Sequence, residues 1–167
     1  MKIRIAILAV SLMGWSLGAM AHGDDDHKKK AGPVRMEQKD WGIAGNAKAV
    51  KRTIVLTMGD NMRFTPDKIE VKQGEVVKLV VKNGGAMLHE IVIGTKPVLQ
   101  EHAALMVKFP TMEHDEPYMA HVKPGTAGEL ILNFNRPGEF EFACLIAGHY
   151  QAGMVGKILV TAQGKRQ

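Results

Sequence analysis

The chain has 167 residues, with 22 Lys and Arg against 17 Asp and Glu, 46% hydrophobic residues and a single Cys. That length suits one domain with a buried core, and one Cys excludes an internal disulfide. The mild positive balance is scattered; the short run Lys28-Lys29-Lys30 has no interleaved aromatics, so nucleic acid is excluded as a partner.

At the amino terminus, Lys2 and Arg4 precede a mostly apolar stretch at 5–17 and the small-x-small site Ala19-Met20-Ala21. Residues 1–21 read as a signal peptide, because the apolar core is shorter than the roughly 20 residues that span a bilayer and a very polar segment follows. Cleavage after Ala21 makes His22 the mature amino terminus, and no later apolar run is long enough for a membrane span. Residues 22–49, rich in Gly, Asp, Lys and Ala without a sustained period, read as a flexible tail. Within it His22-Gly23-Asp24-Asp25-Asp26-His27 offers an amine, two imidazoles and three carboxylates. It is either a solvated acidic tail or a Cu(II) site.

Order is expected from about Val50, with a domain over 50–167. Strands are predicted at 52–58, 68–72, 76–82, 90–93, 129–134, 139–143 and 155–160, from β-branched and alternating residues. Turns are predicted at Phe64-Thr65-Pro66-Asp67, Gln73-Gly74, Gly84-Gly85, Lys123-Pro124-Gly125 and Arg136-Pro137-Gly138. Many short strands with one helical candidate indicate an all-β fold, a β-sandwich. A long insert interrupts them at 97–121, with a short helix expected at 101–108 that places His102 and Met106 on one face. Met112, His114, Met119 and His121 complete its set of three His and three Met. Either the thioethers pack against the sandwich or the segment holds a second, labile copper, since thioether and imidazole are neutral ligands that Cu(I) accepts.

The segment from Cys144 to Met154 places a thiolate, an imidazole and a thioether at C-x4-H-x4-M between two predicted strands. His89, between the apolar runs 76–81 and 91–93, supplies a second imidazole. Two His, one Cys and a weak axial Met are the ligands of an electron-transfer copper centre. Gln151 is an alternative axial donor. A lone Cys in an exported protein is otherwise a buried small hydrophobe, but His and Met at ligand spacing argue for metal. A Cys–His hydrolase built on Cys144 and His149 is disfavoured, because no oriented acid partner is visible.

Phe64-Thr65-Pro66, Ile69-Glu70-Val71-Lys72-Gln73-Gly74-Glu75-Val76, Asn83-x5-His89-Glu90, Gly138-Glu139-Phe140-Glu141-Phe142-Ala143-Cys144 and His149-x4-Met154-x-Gly156 together resemble the cupredoxins, the plastocyanin and azurin superfamily, over about 53–160. Within it the chain is most similar to periplasmic cupredoxins of bacterial copper tolerance. The resemblance implies a Greek-key, cupredoxin-like β-sandwich and type 1 copper held by His89, Cys144, His149 and Met154. It also implies His149 nearest the surface as the electron exit, ringed by Leu145, Ile146, Ala147 and Ala152. Two departures stand out: Glu90 replaces the Asn that often ties the ligand loops, and the C-x4-H-x4-M loop is longer than that of plastocyanin.

The expected function is periplasmic copper binding with Cu(I)/Cu(II) cycling in copper tolerance, with copper ions and a periplasmic redox or copper-handling protein as partners. The alternative is a soluble one-electron carrier. Oxidases and reductases that share this site need further copper centres, usually on further domains, so no enzyme is expected.

Overall fold

In the computed structural model, which describes residues 37–112 and 116–164, alternation of side chains writes the strands directly. In β4 (Lys68–Lys72), Ile69 and Val71 are buried while the three charged residues face water, the period-two pattern of a strand with one solvated face. One sheet is assembled from β1 (Ile43–Ala44), β2 (Arg52–Gly59), β3 (Arg63–Thr65), β5 (Glu75–Asn83) and β8 (Ala127–Phe134), in the order β1-β8-β5-β2-β3. The other pairs β4 with β6 (His89–Gly94), β7 (Met119–Val122), β9 (Gly138–Ala143) and β10 (Val155–Thr161), in the order β4-β10-β9-β6-β7. Two pairings are parallel, β2 with β5 and β4 with β10; the rest are antiparallel. The inner faces meet in one core in which Leu56, Leu79, Leu132, Phe134 and Phe142 are fully buried. The all-β sandwich with a helical insert is therefore what the chain forms.

β6 departs from alternation: all six of its residues are buried. Its second face is covered by α1 (Lys96–Lys108), which presents Leu99, Ala103 and Met106 at i, i+4 and i+7 to Val92, Met119, Ala143 and Leu145. Pro97 opens the helix, where its missing N–H costs nothing. Gly94 permits the close start, because a Cβ there would lie 3.0 Å from Leu99 Cδ2. Among the described residues, no helix is long and apolar enough to cross a membrane.

The seven predicted strands are present, each within about two residues of its expected ends. Three strands were not expected. β1 is only two residues long, β3 falls in the predicted turn at Phe64, and β7 lies inside the 97–121 insert. The insert therefore ends earlier: after α1, which begins at Lys96 and not near residue 101, the chain returns to the sheet at Met119. Order also starts before Val50. Trp41 is 2% exposed, packs edge-on to Tyr118 at 6.1 Å and against Phe134 at 5.8 Å, and belongs to the core. The segment predicted as a signal peptide, 1–21, and the first part of the predicted tail lie outside the described residues.

Candidate metal centre

The four expected ligands come from two places at one end of the sandwich. His89 is the first residue of β6, and Cys144 directly follows β9. The loop from Cys144 to Met154 closes on itself: the Cys144 N–H donates to the Met154 carbonyl at 3.1 Å, and the Met154 N–H to the His149 carbonyl at 3.0 Å. Bonds of shorter sequence range inside the loop, from His149 N–H to Ile146 O at 2.9 Å and from Ala152 N–H to Gly148 O at 3.0 Å, fold it into turns that carry His149 back over Cys144.

The result is convergence. Nδ1 of His149 lies 3.3 Å from Cys144 Sγ and 3.3 Å from Nδ1 of His89. A ligand atom from each of the three residues lies within 4.8 Å of the others, and they form the one such group of His, Cys, Asp and Glu among the described residues. His89, Cys144 and Met154 are fully buried, Met154 in the same core cluster as Cys144, whereas His149 is half-buried. This is the solvent gradient expected, with His149 nearest the surface.

Burial pushes the Cys144 thiol up to about 12, although N–H groups of Glu90 and Ile146 act in the opposite direction. A thiol so placed stays protonated until a cation displaces its proton. Burial, followed by the neighbouring His89, lowers the pKa of His149 and favours the neutral imidazole with a free lone pair. Two imidazole nitrogens and a soft sulfur in a dry pocket fit copper.

Residues outside the ligand set fix its geometry. Nε2 of His89 lies 3.1 Å from Asp60 Oδ1, at the turn between β2 and β3. The same carboxylate accepts N–H bonds from Ala86 at 2.7 Å and Met87 at 3.2 Å. Those contacts, led by the Ala86 amide and then His89, hold the Asp60 carboxyl below the usual range. Gly85 makes the approach possible, since a Cβ there would collide with the Asp60 carboxylate. Buried Asn83 donates to the carbonyls of Met87 at 2.7 Å and Val122 at 2.8 Å and accepts from the Gly85 N–H at 2.9 Å. Asp60 and Asn83 thus pin the segment that delivers His89. Arg63 Nη1 donates to Ala152 O at 2.8 Å and ties the β2–β3 turn to the ligand loop.

Glu90, the departure seen in the sequence, still ties the loops. It is fully buried, its Oε1 accepts the Leu145 N–H at 2.8 Å, and its own N–H donates to Cys144 Sγ at 3.4 Å. Its Oε2 lies 3.0 Å from Nε2 of His121.

The residues considered for a second copper that lie among the described residues have varied surroundings. Met106 and Met119 are each 5% exposed, and both fill the cluster under α1. His102 is half-buried on α1, and Met112 is exposed beyond its end. His121, on β7, faces Glu90 across the strand pair. His22, His27 and His114 lie outside the described residues. The expected ring around His149 also changes: Leu145 is fully buried against α1, while Ala147 and Ala152 are exposed and Ile146 is half-buried. Met87 and Leu88, 41% and 43% exposed, stand just before His89.

Sequence reasoning missed Asp60, Asn83 as a clamp, and the pairing of Glu90 with His121. The local signal for Asp60 was the Gly59-Asp60-Asn61 turn, but its partner lies 29 positions away.

Comparison with known proteins points the same way. Residues 50–161 match the family model for copper binding proteins of the plastocyanin/azurin family. The chain is 40% identical over 160 residues to the copper-resistant cuproprotein CopI of Rubrivivax gelatinosus, covering 95% of this chain and 96% of that one. It is 32% identical over 186 aligned positions to the CopI of Pseudomonas aeruginosa, covering 94% and 97%. Among solved structures, auracyanin B superposes with a TM-score of 0.60 at 21% identity, over 72% of this chain and 96% of that one. The dithionite-reduced auracyanin of Roseiflexus castenholzii gives 0.58 at 23% identity, over 67% and 98%. The convergent His, Cys and His, the sandwich that holds them and these matches place the chain in the plastocyanin/azurin family of copper-binding proteins.

Proposed function

We propose that the protein holds one type 1 copper ion through His89, Cys144, His149 and Met154, and serves copper tolerance in the periplasm after export by its amino-terminal signal. The observation that carries this reading is the gathering of two imidazoles and a buried thiol within 4.8 Å. Full-length similarity to proteins named as copper-resistant cuproproteins supports the tolerance assignment.

Bound copper supplies a one-electron couple, Cu(I)/Cu(II). The chain supplies everything else. Cys144 would hold the ion as a thiolate, His89 and His149 would add their imidazole nitrogens, and Met154 would offer its thioether. The two sheets and the backbone bond from Cys144 to Met154 hold these donors in place, which would keep rearrangement small when the ion changes oxidation state. Asp60 orients the His89 ring through its outer nitrogen, which fixes the nitrogen that faces the metal. His149, half-buried, is the exit for the electron.

The test has two parts. Loaded with Cu(II), the mature protein shows an intense thiolate-to-copper absorption band that Cys144→Ala abolishes; absence of the band in the unsubstituted protein overturns the site. A strain lacking the protein becomes copper-sensitive and is rescued by the wild-type chain but not by Cys144→Ala; rescue by the variant overturns the role of this centre in tolerance.

One observation favours a second reading, that of a soluble one-electron carrier: exposed Met87 and Leu88 directly precede His89 and exposed Ala147 lies two residues before His149, apolar surface next to ligands of the kind a redox partner docks against. Intact copper tolerance in the deletion strain with impaired electron delivery to a periplasmic acceptor would support it.

A further inference from the structure

We propose that the turn between β2 and β3 is a bracket between the two sheets: through Asp60 it holds the segment that delivers His89, through Arg63 it holds the loop that carries His149 and Met154, and so it fixes the two ligand-bearing segments against each other before copper enters. The inference rests on the type 1 site of the preceding section and goes beyond it, since Arg63 becomes a positioning residue that does not itself bind the ion.

The turn is held from within and from below. The Met62 N–H donates to Gly59 O at 3.0 Å, and Asn61 Oδ1 accepts the Arg63 N–H at 3.2 Å. Met62 has φ of 58°, and among the described residues it is the one non-glycine in the left-handed region. A side chain there costs free energy that surrounding contacts must offset. Met62 packs, partly buried, against the core, and Phe64 meets Phe142 edge-on at 5.0 Å.

Each arm bonds the backbone of a ligand-bearing segment. On one side the Asp60 carboxylate accepts the N–H groups of Ala86 at 2.7 Å and Met87 at 3.2 Å, three and two residues before His89. On the other, Nη1 of Arg63 donates to Met62 O at 2.7 Å and to Ala152 O at 2.8 Å, so one planar group bridges the turn and the loop. Arginine suits this place because its N–H donors point in fixed directions. Gly153, with φ of 92°, lets the guanidinium lie against the loop, since a Cβ there would sit 3.0 Å from Nη1, and Met154 follows directly. β2 and β3 belong to one sheet, whereas β6, which begins with His89, and β9, which leads into Cys144, belong to the other. Two arms on one turn act in series: once either is cut, the other no longer fixes one segment against the other.

Cu(II) affinity is measured by chelator competition for the wild type, Arg63→Met, Asp60→Ala and the double variant. Arg63→Met keeps an unbranched side chain and loses the donors. It is expected to weaken binding by about 5–10-fold in the wild-type background, the scale of a hydrogen bond from a charged group. Once Asp60 is Ala, the same substitution costs less than about twofold, the margin within which independent effects add. Removing a positive charge beside a cation would by Coulomb's law strengthen binding, so weaker binding is not a charge effect. In the metal-free protein, Arg63→Met speeds amide hydrogen exchange at Gly153 and Met154, whose N–H groups bond within the loop to Tyr150 O and His149 O. An equal loss of affinity in both backgrounds makes Arg63 a local support of its own loop and overturns the bracket. Unchanged or tighter binding in Arg63→Met overturns it too, as does unchanged exchange at Gly153 and Met154. Should Asp60→Ala not fold, Asp60→Asn takes its place, keeping one acceptor oxygen and losing the other. Lack of the thiolate-to-copper band in the wild type sinks the underlying site, whereas a band with equal losses in both backgrounds sinks only the bracket.

Discussion

Two regions of this chain carry histidine and methionine at ligand-like spacing, and the fold uses them oppositely. In the loop from Cys144 to Met154 the backbone bonds among Cys144, Ile146, His149 and Met154 curl the chain, so that His149 meets His89 at 3.3 Å. In α1 and β7, regular structure assigns the described side chains to packing or to the surface. Helical spacing turns Met106 inward with Leu99, strand alternation buries Met119, and His121 is directed at Glu90. An irregular loop can gather thioether and imidazole on one point, whereas a helix packed against a sheet buries Met106 and leaves Met112 exposed beyond its end.

The sharpest way to break this contrast is to remove one donor from each region. Cys144→Ala is expected to abolish the thiolate-to-copper band completely, while Met106→Leu, which preserves volume under α1, leaves it intact. Loss of the band in Met106→Leu would show that the two regions are one functional unit. Next in size is Leu99→Ala, which empties space between α1 and β6 and should lower unfolding stability by about 2–5 kcal/mol. Denaturant titration of the metal-free protein measures it, and an unchanged absorption band in the loaded variant would confirm that α1 supports the sheet and not the copper.

Asp60→Ala tests the clamp on His89. The variant loses the outer-nitrogen contact and the acceptor for the amides of Ala86 and Met87. Competition with a chelator should show copper affinity reduced by about 10–100-fold, the usual size for removing a group that orients a ligating imidazole. Affinity unchanged within twofold would mean that Asn83 alone sets the position of His89.

The contrast also explains what could be read in advance. Strands such as β4 and β10 are local patterns of alternation, and the C-x4-H-x4-M loop is a local pattern of donors, so both were legible. β7 was not, because Met119-Ala120-His121-Val122 has no distinctive alternation of its own and becomes a strand by pairing with β6. Trp41 was lost in a stretch of Gly, Asp and Lys although it fills the core beside Phe134. The supports of the site were hidden for a related reason: Asp60 with His89 and Glu90 with His121 are each separated by about thirty residues, and one sequence carries no sign of such pairings.

The smallest effect distinguishes the insert as surface from the insert as a metal store. Met112 is 39% exposed just past the end of α1, and its N–H is already bonded to Phe109 O at 3.0 Å, so truncating its side chain costs little. Met112→Ala is expected to change stability by less than about 0.5 kcal/mol and to leave both the band and the copper content per chain as they are. The informative failure is a specific one: if copper per chain falls while the band persists, the lost ion belongs to a second site that uses Met112. The insert would then share the work of the ligand loop, and exposure would matter more than regular structure in deciding which thioethers remain available to copper.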